Sequence, residues 1–176
     1  MLAAGSILGI PLMTLLPIFA RDVLKIGASG LGVLIGSFGV GAVLAGISIA
    51  VLGDFPKKGL WVMRGFLLFT VSMIAFCLSR NELLSALCLV VAGFSMVGYT
   101  AVINTLVQKS VPDEMRGRAL SVFVFAFVGC MPFGNLLAGT LAKILGAPLT
   151  LCAQGAVLGT LTLYVFLTHP EIRQLE

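Results

Sequence analysis

From Ala119 to Ala142 the chain runs for 24 residues without a charged side chain. As helix, at about 1.5 Å per residue, that stretch covers a bilayer hydrocarbon core of roughly 30 Å. Five further runs match it: Met1–Ala20, Gly30–Gly53, Leu60–Ser79, Leu83–Gln108 and Leu149–Thr168. Arg64 is the one charge inside them, near the end of its run, where it can snorkel to the headgroups. A helix satisfies its own backbone in lipid, whereas barrel strands would show runs of about ten residues with alternating polarity. The expectation is an all-α membrane protein with six transmembrane helices in one domain, 1–176. Those helices fall at about 1–20, 30–53, 60–79, 83–108, 119–142 and 149–168.

Composition closes off the soluble alternatives. The chain is 59% hydrophobic and 10% charged, against about 25% charged residues in a soluble domain. Its net charge of +4 does not indicate nucleic acid, because the basic residues sit between apolar runs and form no stripe with aromatics. They report orientation instead. Lys57, Lys58, Arg64, Lys109, Arg116, Arg118 and Arg173 fall on one side; Arg21, Lys25, Arg80 and Lys143 fall on the other. The richer side is expected to be cytoplasmic, with both termini inside. Cys77, Cys88, Cys130 and Cys152 all lie within apolar runs without metal-ligand spacing, and read as small apolar fillers of a bundle rather than disulfide or metal residues. His169, the single histidine, reads as an interfacial residue. Met1 opens into an apolar segment with neither a basic region nor a cleavage site, which is unlike a signal peptide and like a chain that starts abruptly.

The chain also repeats itself. Gly36, Gly41, Leu44, Ala45, Gly46 and Gly53 recur 93 positions later as Gly129, Gly134, Leu137, Ala138, Gly139 and Gly146. A repeat offset by three spans crosses the membrane in the opposite sense. Inverted three-plus-three repeats mark secondary transporters. The small residues of the second and fifth runs let backbones approach closely in lipid. They serve either packing within the bundle or a sliding seam against another half. Pro11, Pro17 and Pro132 interrupt the helical hydrogen-bond ladder, and Pro132 between Gly129 and Gly134 reads either as a flex point or as a proline ordinary in membrane helices.

Nothing here points to an enzyme. The segment Gly93-Phe94-Ser95 lacks the later glycine of a nucleophile elbow, and no phosphate-binding loop for ATP is present. Neither a metal nor a cofactor is expected. No Asp or Glu lies within a run, so a proton-coupling acid is absent from this stretch. The polar residues at depth include Thr14, Ser37, Ser72, Ser95, Tyr99, Thr100, Asn104, Asn135 and Gln154. They serve either hydrogen bonding between helices or a ligand.

The segment Gln108-Lys109-Ser-Val-Pro112-Asp113-Glu114-Met-Arg116-Gly117-Arg118 has the features of a helix junction. Pro112 ends one helix, Asp113 or Glu114 can cap the next, and Arg116 and Arg118 remain for acids or lipid phosphates. With the following Gly129-x-x-Pro132-x-Gly134-x-x-x-x-Gly139, it resembles the loop before the eleventh helix of major facilitator superfamily transporters. The nearest resemblance is to the branch containing the enterobactin exporter and macrolide-efflux proteins. The opening Leu16-Pro17-Ile-Phe-Ala-Arg21-Asp22-Val-Leu and Gly27-Ala-Ser-Gly30-Leu-Gly32 resembles the end of that branch's seventh helix and the start of its eighth. The tail Pro170-Glu171-Ile-Arg173 resembles its end. The resemblance spans nearly the whole chain but only the C-terminal half of a twelve-helix protein. In Gly53-Asp54-Phe-Pro56-Lys57-Lys58-Gly59, Asp54 and the basic pair match the family's cytoplasmic loop, while its leading glycine is Ala50.

The resemblance implies a secondary active transporter, an antiporter-type exporter of a bulky amphipathic small molecule such as a drug or siderophore, in a bacterial inner membrane. It implies that the first and fourth helices face the cavity. Met13, Thr14, Met96, Tyr99, Thr100 and Asn104 are then cavity candidates, with Phe94 beside them. Asp54, Lys57, Lys58, Asp113, Glu114, Arg116 and Arg118 are candidates for a cytoplasmic gate. Gly36, Gly41, Gly46, Gly129, Pro132, Gly134 and Gly139 are packing or flex positions. The expected partners are the lipid bilayer, the small-molecule substrate and a missing six-helix half or second copy. The alternative is a standalone six-helix protein that dimerises or serves structure or assembly.

Overall fold

The computed structural model describes residues 1–53 and 55–168. Asp54, His169 and the tail motif at Pro170–Arg173 lie outside the described residues. Among those described, six helices are long and apolar enough to cross a membrane. They are α1 (Leu2–Val23), α2 (Gly27–Leu52), α3 (Lys58–Leu78), α4 (Glu82–Lys109), α5 (Asp113–Leu145) and α6 (Ala147–Thr168). Each starts before its charge-free run, or ends after it. The difference is largest at α5, which begins as a 3-10 turn at Asp113–Met115 and is α-helical from Arg116. A charge-free window marks the part that must be dry, whereas a helix continues past the headgroups into water.

Short connections alternate the helix directions. The turn before α4 is built by Asn81, whose Oδ1 accepts from the N–H of Leu83 at 2.9 Å, satisfying a donor the helix cannot. Gly53 and Gly146 end α2 and α5 with φ of 61° and 82°, a region open to glycine and costly for residues with a Cβ. They are partners in the 93-residue repeat, so both copies stop their second helix on a positive-φ glycine.

The core lies among α1, α3, α4 and α6. Leu12, Leu15, Leu16 and Phe19 of α1 meet Phe66, Phe69, Met73 and Phe76 of α3, Leu89 and Tyr99 of α4, and Leu151 and Leu158 of α6. Since lipid is as apolar as these side chains, their close packing and not expulsion from water holds the helices together. A disulfide between Cys77 and Cys152, with Cα atoms 6.1 Å apart, joins α3 to α6. This corrects the reading of all four cysteines as fillers; Cys88 and Cys130 remain free thiols. The bridge lies near the end of α3 and the start of α6, at the end of the bundle opposite Lys57 and Lys58.

The repeat mates α2 and α5 lean on the outside of this core. Helix α2 rests chiefly on α4, and α5 on α1 and α6. At the α2–α4 crossing, a Cβ on Gly41 would fall on the Val90 carbonyl and 2.8 Å from the Phe94 nitrogen. Gly93 faces the Phe38 carbonyl with as little room. At the α5–α1 crossing, a Cβ on Gly134 would sit 2.5 Å from the Ile7 carbonyl oxygen and 2.8 Å from its Cα. Gly41 and Gly134 thus make corresponding backbone contacts in the two copies. Gly36, Gly46 and Gly139 have open space beside them, and Gly129 meets only the Phe125 ring of its own helix.

Candidate substrate cavity

Three prolines set the local geometry of α1 and α5. Pro132 has no N–H to offer Val128, and its ring crowds that carbonyl. The helix widens to a π-helical turn at Phe125–Gly129 before resuming at Met131. In α1, Pro11 and Pro17 interrupt the ladder and a π-helical turn follows at Phe19–Val23. Turns of this kind free carbonyls and often occur at functional sites. Here the hydroxyl of buried Ser6 donates to the Phe127 carbonyl within the α5 turn. Further along the same parallel pair, Thr14 Oγ1 donates to Asn135 Oδ1 at 2.8 Å. Two hydrogen bonds and the Gly134 contact therefore clasp α1 to α5.

Phe127 lies in the widened turn and lines a space shared with α4. Between them is a cavity of about 480 Å³ lined by Met96, Val97, Thr100, Ala101, Asn104 and Phe127. Met96, Thr100 and Asn104 follow one another at four-residue spacing, so they share a helix face. Thr100 Oγ1 is buried, and the Tyr99 side chain is its hydrogen-bonding neighbour, without the geometry of a full bond. Asn104 Oδ1 accepts from Gln108 Nε2 on the same helix, which leaves its own amide donors directed elsewhere. Apolar walls with a few polar groups are the usual lining of a small-molecule pocket.

Three of the six cavity candidates meet here. The other three do not. Tyr99 is 1% exposed and stacks on Phe66 with ring centroids 3.9 Å apart, edge-on to Phe69 at 6.2 Å. Thr14 is engaged with Asn135, and Met13 packs half-buried against the core. Phe94 instead lines a cleft with Trp61 and Arg64. Val97, Ala101 and Phe127 were not anticipated. The first two follow from continuing the Asn104 face by one turn; Phe127 depends on the π-helical turn, of which Pro132 was the sequence sign.

The gate candidates separate similarly. Lys57 is exposed with φ of 59° at the start of α3, and Lys58 is buried beside it. Lys58 and Lys109 line a second cavity, of about 330 Å³, with Ile49, Gly53, Phe55, Val102 and Thr105. Asp113 does not cap the following helix. Its Oδ1 pairs with the Arg116 guanidinium at 2.7 Å, one turn on. Glu114 and Arg118 are exposed.

A family model described as transmembrane secretion effector matches residues 3–175. The chain belongs to this family of major facilitator transporters. Among curated proteins it is similar to the multidrug efflux pump Tap of Mycolicibacterium fortuitum, 26% identical over 151 residues. That match takes in 83% of this chain and 36% of the pump, so the chain spans little more than a third of its relative. The family and the six apolar helices make the chain an integral membrane protein.

Proposed function

We propose that the chain forms one six-helix half of a secondary active exporter, and that Met96, Thr100, Asn104 and Phe127 line its path for bulky amphipathic molecules. The observation that carries this is the α4–α5 cavity, whose mostly apolar walls carry the polar Thr100 and Asn104 one turn apart. Membership of a transporter family supports it, and so does a multidrug efflux pump among its relatives. The seven-to-four distribution of basic residues supports an orientation with the Lys57 and Lys109 ends, and both termini, on the cytoplasmic side of an inner membrane. The gate reading of Lys57, Lys58, Asp113, Glu114, Arg116 and Arg118 belongs to that side.

A second half is expected from the surfaces of α2 and α5. They are the least buried of the six spans, with 17% and 11% of their most apolar windows buried, against 56% for α3. The open glycines Gly36, Gly46 and Gly139 fit a seam along which another six-helix unit, or a second copy, rocks during transport. The test is substrate competition in the protein joined to its other half. Asn104→Leu and Phe127→Ala should reorder the inhibition constants of a panel of amphipathic cations and neutral drugs. Met13→Leu should leave the order unchanged. An unchanged order in all three would remove the cavity from the path.

A further inference from the structure

Arg64 sits seven residues into α3, on a helical stripe with Leu68, Val71 and Leu78, which are 45%, 62% and 69% exposed. At about 1.5 Å per residue its Cα lies roughly 9 Å inside the helix end. No described residue pairs with its guanidinium; the described ion pairs are Arg21–Asp22 and Arg116–Asp113. An unpaired charge on an apolar span is costly unless something in the membrane answers it. Beside it is a cleft of about 170 Å³ lined by Trp61, Arg64, Gly65, Leu68, Phe94 and Ser95, with no acidic side chain among them. Trp61 is the single tryptophan of the chain, held between Phe55 and Phe94 at centroid distances of 5.8 and 6.3 Å. Tryptophan prefers the level of the headgroups. Exposed Lys57, the residue before α3, adds a second cation at the same end of the helix.

We propose that this cleft between α3 and α4 is a binding site for an anionic glycerophospholipid of the phosphatidylglycerol class. Its phosphate pairs with the Arg64 fork, and the glycerol and upper acyl chains pack on Trp61, Leu68 and Phe94. Arginine suits this role because its planar donors engage two phosphate oxygens together. A zwitterionic lipid carries its own ammonium beside the phosphate and leaves the net charge of the face uncompensated. The site is separate from the α4–α5 cavity and does not depend on the transport reading.

Trp61 makes the site its own probe. The protein is reconstituted in phosphatidylcholine bilayers containing either brominated phosphatidylglycerol or brominated phosphatidylcholine, and quenching of Trp61 is titrated. Brominated phosphatidylglycerol should quench with about fivefold preference, the size expected for one cation near a lipid surface. Arg64→Leu should reduce the preference to near unity, and Arg64→Lys should keep most of it. Should the leucine variant fail to insert, Arg64→Gln gives the same comparison. Equal quenching by the two lipids overturns the proposal, as does an undiminished preference in the neutral variants. Absence of quenching by either lipid also overturns it, since a protein surface would then cover the cleft.

Discussion

Gly134→Ala tests the packing of the two repeats at the closest glycine contact in α5. The added Cβ would lie 2.5 Å from the Ile7 carbonyl oxygen, where ordinary contacts begin at 3.4 Å. The obstacle is backbone, so α5 must retreat by roughly 1 Å to recover van der Waals distance. That movement stretches the Ser6–Phe127 and Thr14–Asn135 hydrogen bonds together. Overpacking costs about 1–3 kcal/mol, and each interhelical bond in a membrane contributes about 0.6 kcal/mol. The total is about 2–4 kcal/mol, or a fall in Tm of roughly 5–15 °C at 2–4 °C per kcal/mol for a chain of this size. Gly139→Ala supplies the control, because nothing lies within 4 Å of its added Cβ. It should be neutral, or stabilising by up to about 1 kcal/mol from helix propensity. Thermal unfolding in one detergent, followed by far-ultraviolet dichroism and size-exclusion recovery, measures both. Equal Tm values for the two variants would refute the close-contact argument. Gly41→Ala, at the corresponding crossing of α2, should behave as Gly134→Ala does.

Further outcomes follow from other parts of the structure. Thiol alkylation of the denatured protein should modify Cys88 and Cys130 without reductant and all four cysteines after reduction. Cys152→Ala should lower stability by up to about 4 kcal/mol, the chain-entropy limit for a bridge of this span; four reactive thiols before reduction would contradict the bridge. Tyr99→Ala should cost about 3–5 kcal/mol of stability, read as a loss of Tm regardless of substrate, because the ring fills the core beside Phe66 and Phe69. A reporter active only outside the cytoplasm should be silent when fused within Lys109–Arg118 and active within Arg21–Ser29; the reverse pattern would invert the orientation.

Much of the architecture was legible because charge is so costly in lipid. Six stretches that exclude it leave little choice but six helices. The 93-residue echo likewise anticipated Gly41 and Gly134, since only glycine lets two backbones touch. The ends were less legible. The segment Asp113–Arg118 is charged, which rules out the hydrocarbon core but not the helix that continues beyond it. At the cavity, Tyr99 and Thr100 are neighbours in sequence and about 100° apart around α4. Tyr99 shares its side with Cys88, Ala92 and Ser95 and turns into the core, while Thr100 follows Met96 and Asn104. A polar residue at membrane depth therefore reveals its role only with its helical phase. The Cys77–Cys152 bridge had no sequence sign, because pairing across 75 residues depends on α3 meeting α6.

The central claim, that this chain is half of an exporter, is tested most directly by transport in proteoliposomes with an imposed proton gradient. The 176-residue chain is compared with the same chain joined to a second six-helix half, using a fluorescent amphipathic cation. The joined protein should move the compound against its gradient until the proton gradient is dissipated, and the chain alone should insert without doing so. Sustained uphill movement by the chain alone would contradict the half-transporter account and establish a self-sufficient assembly of copies.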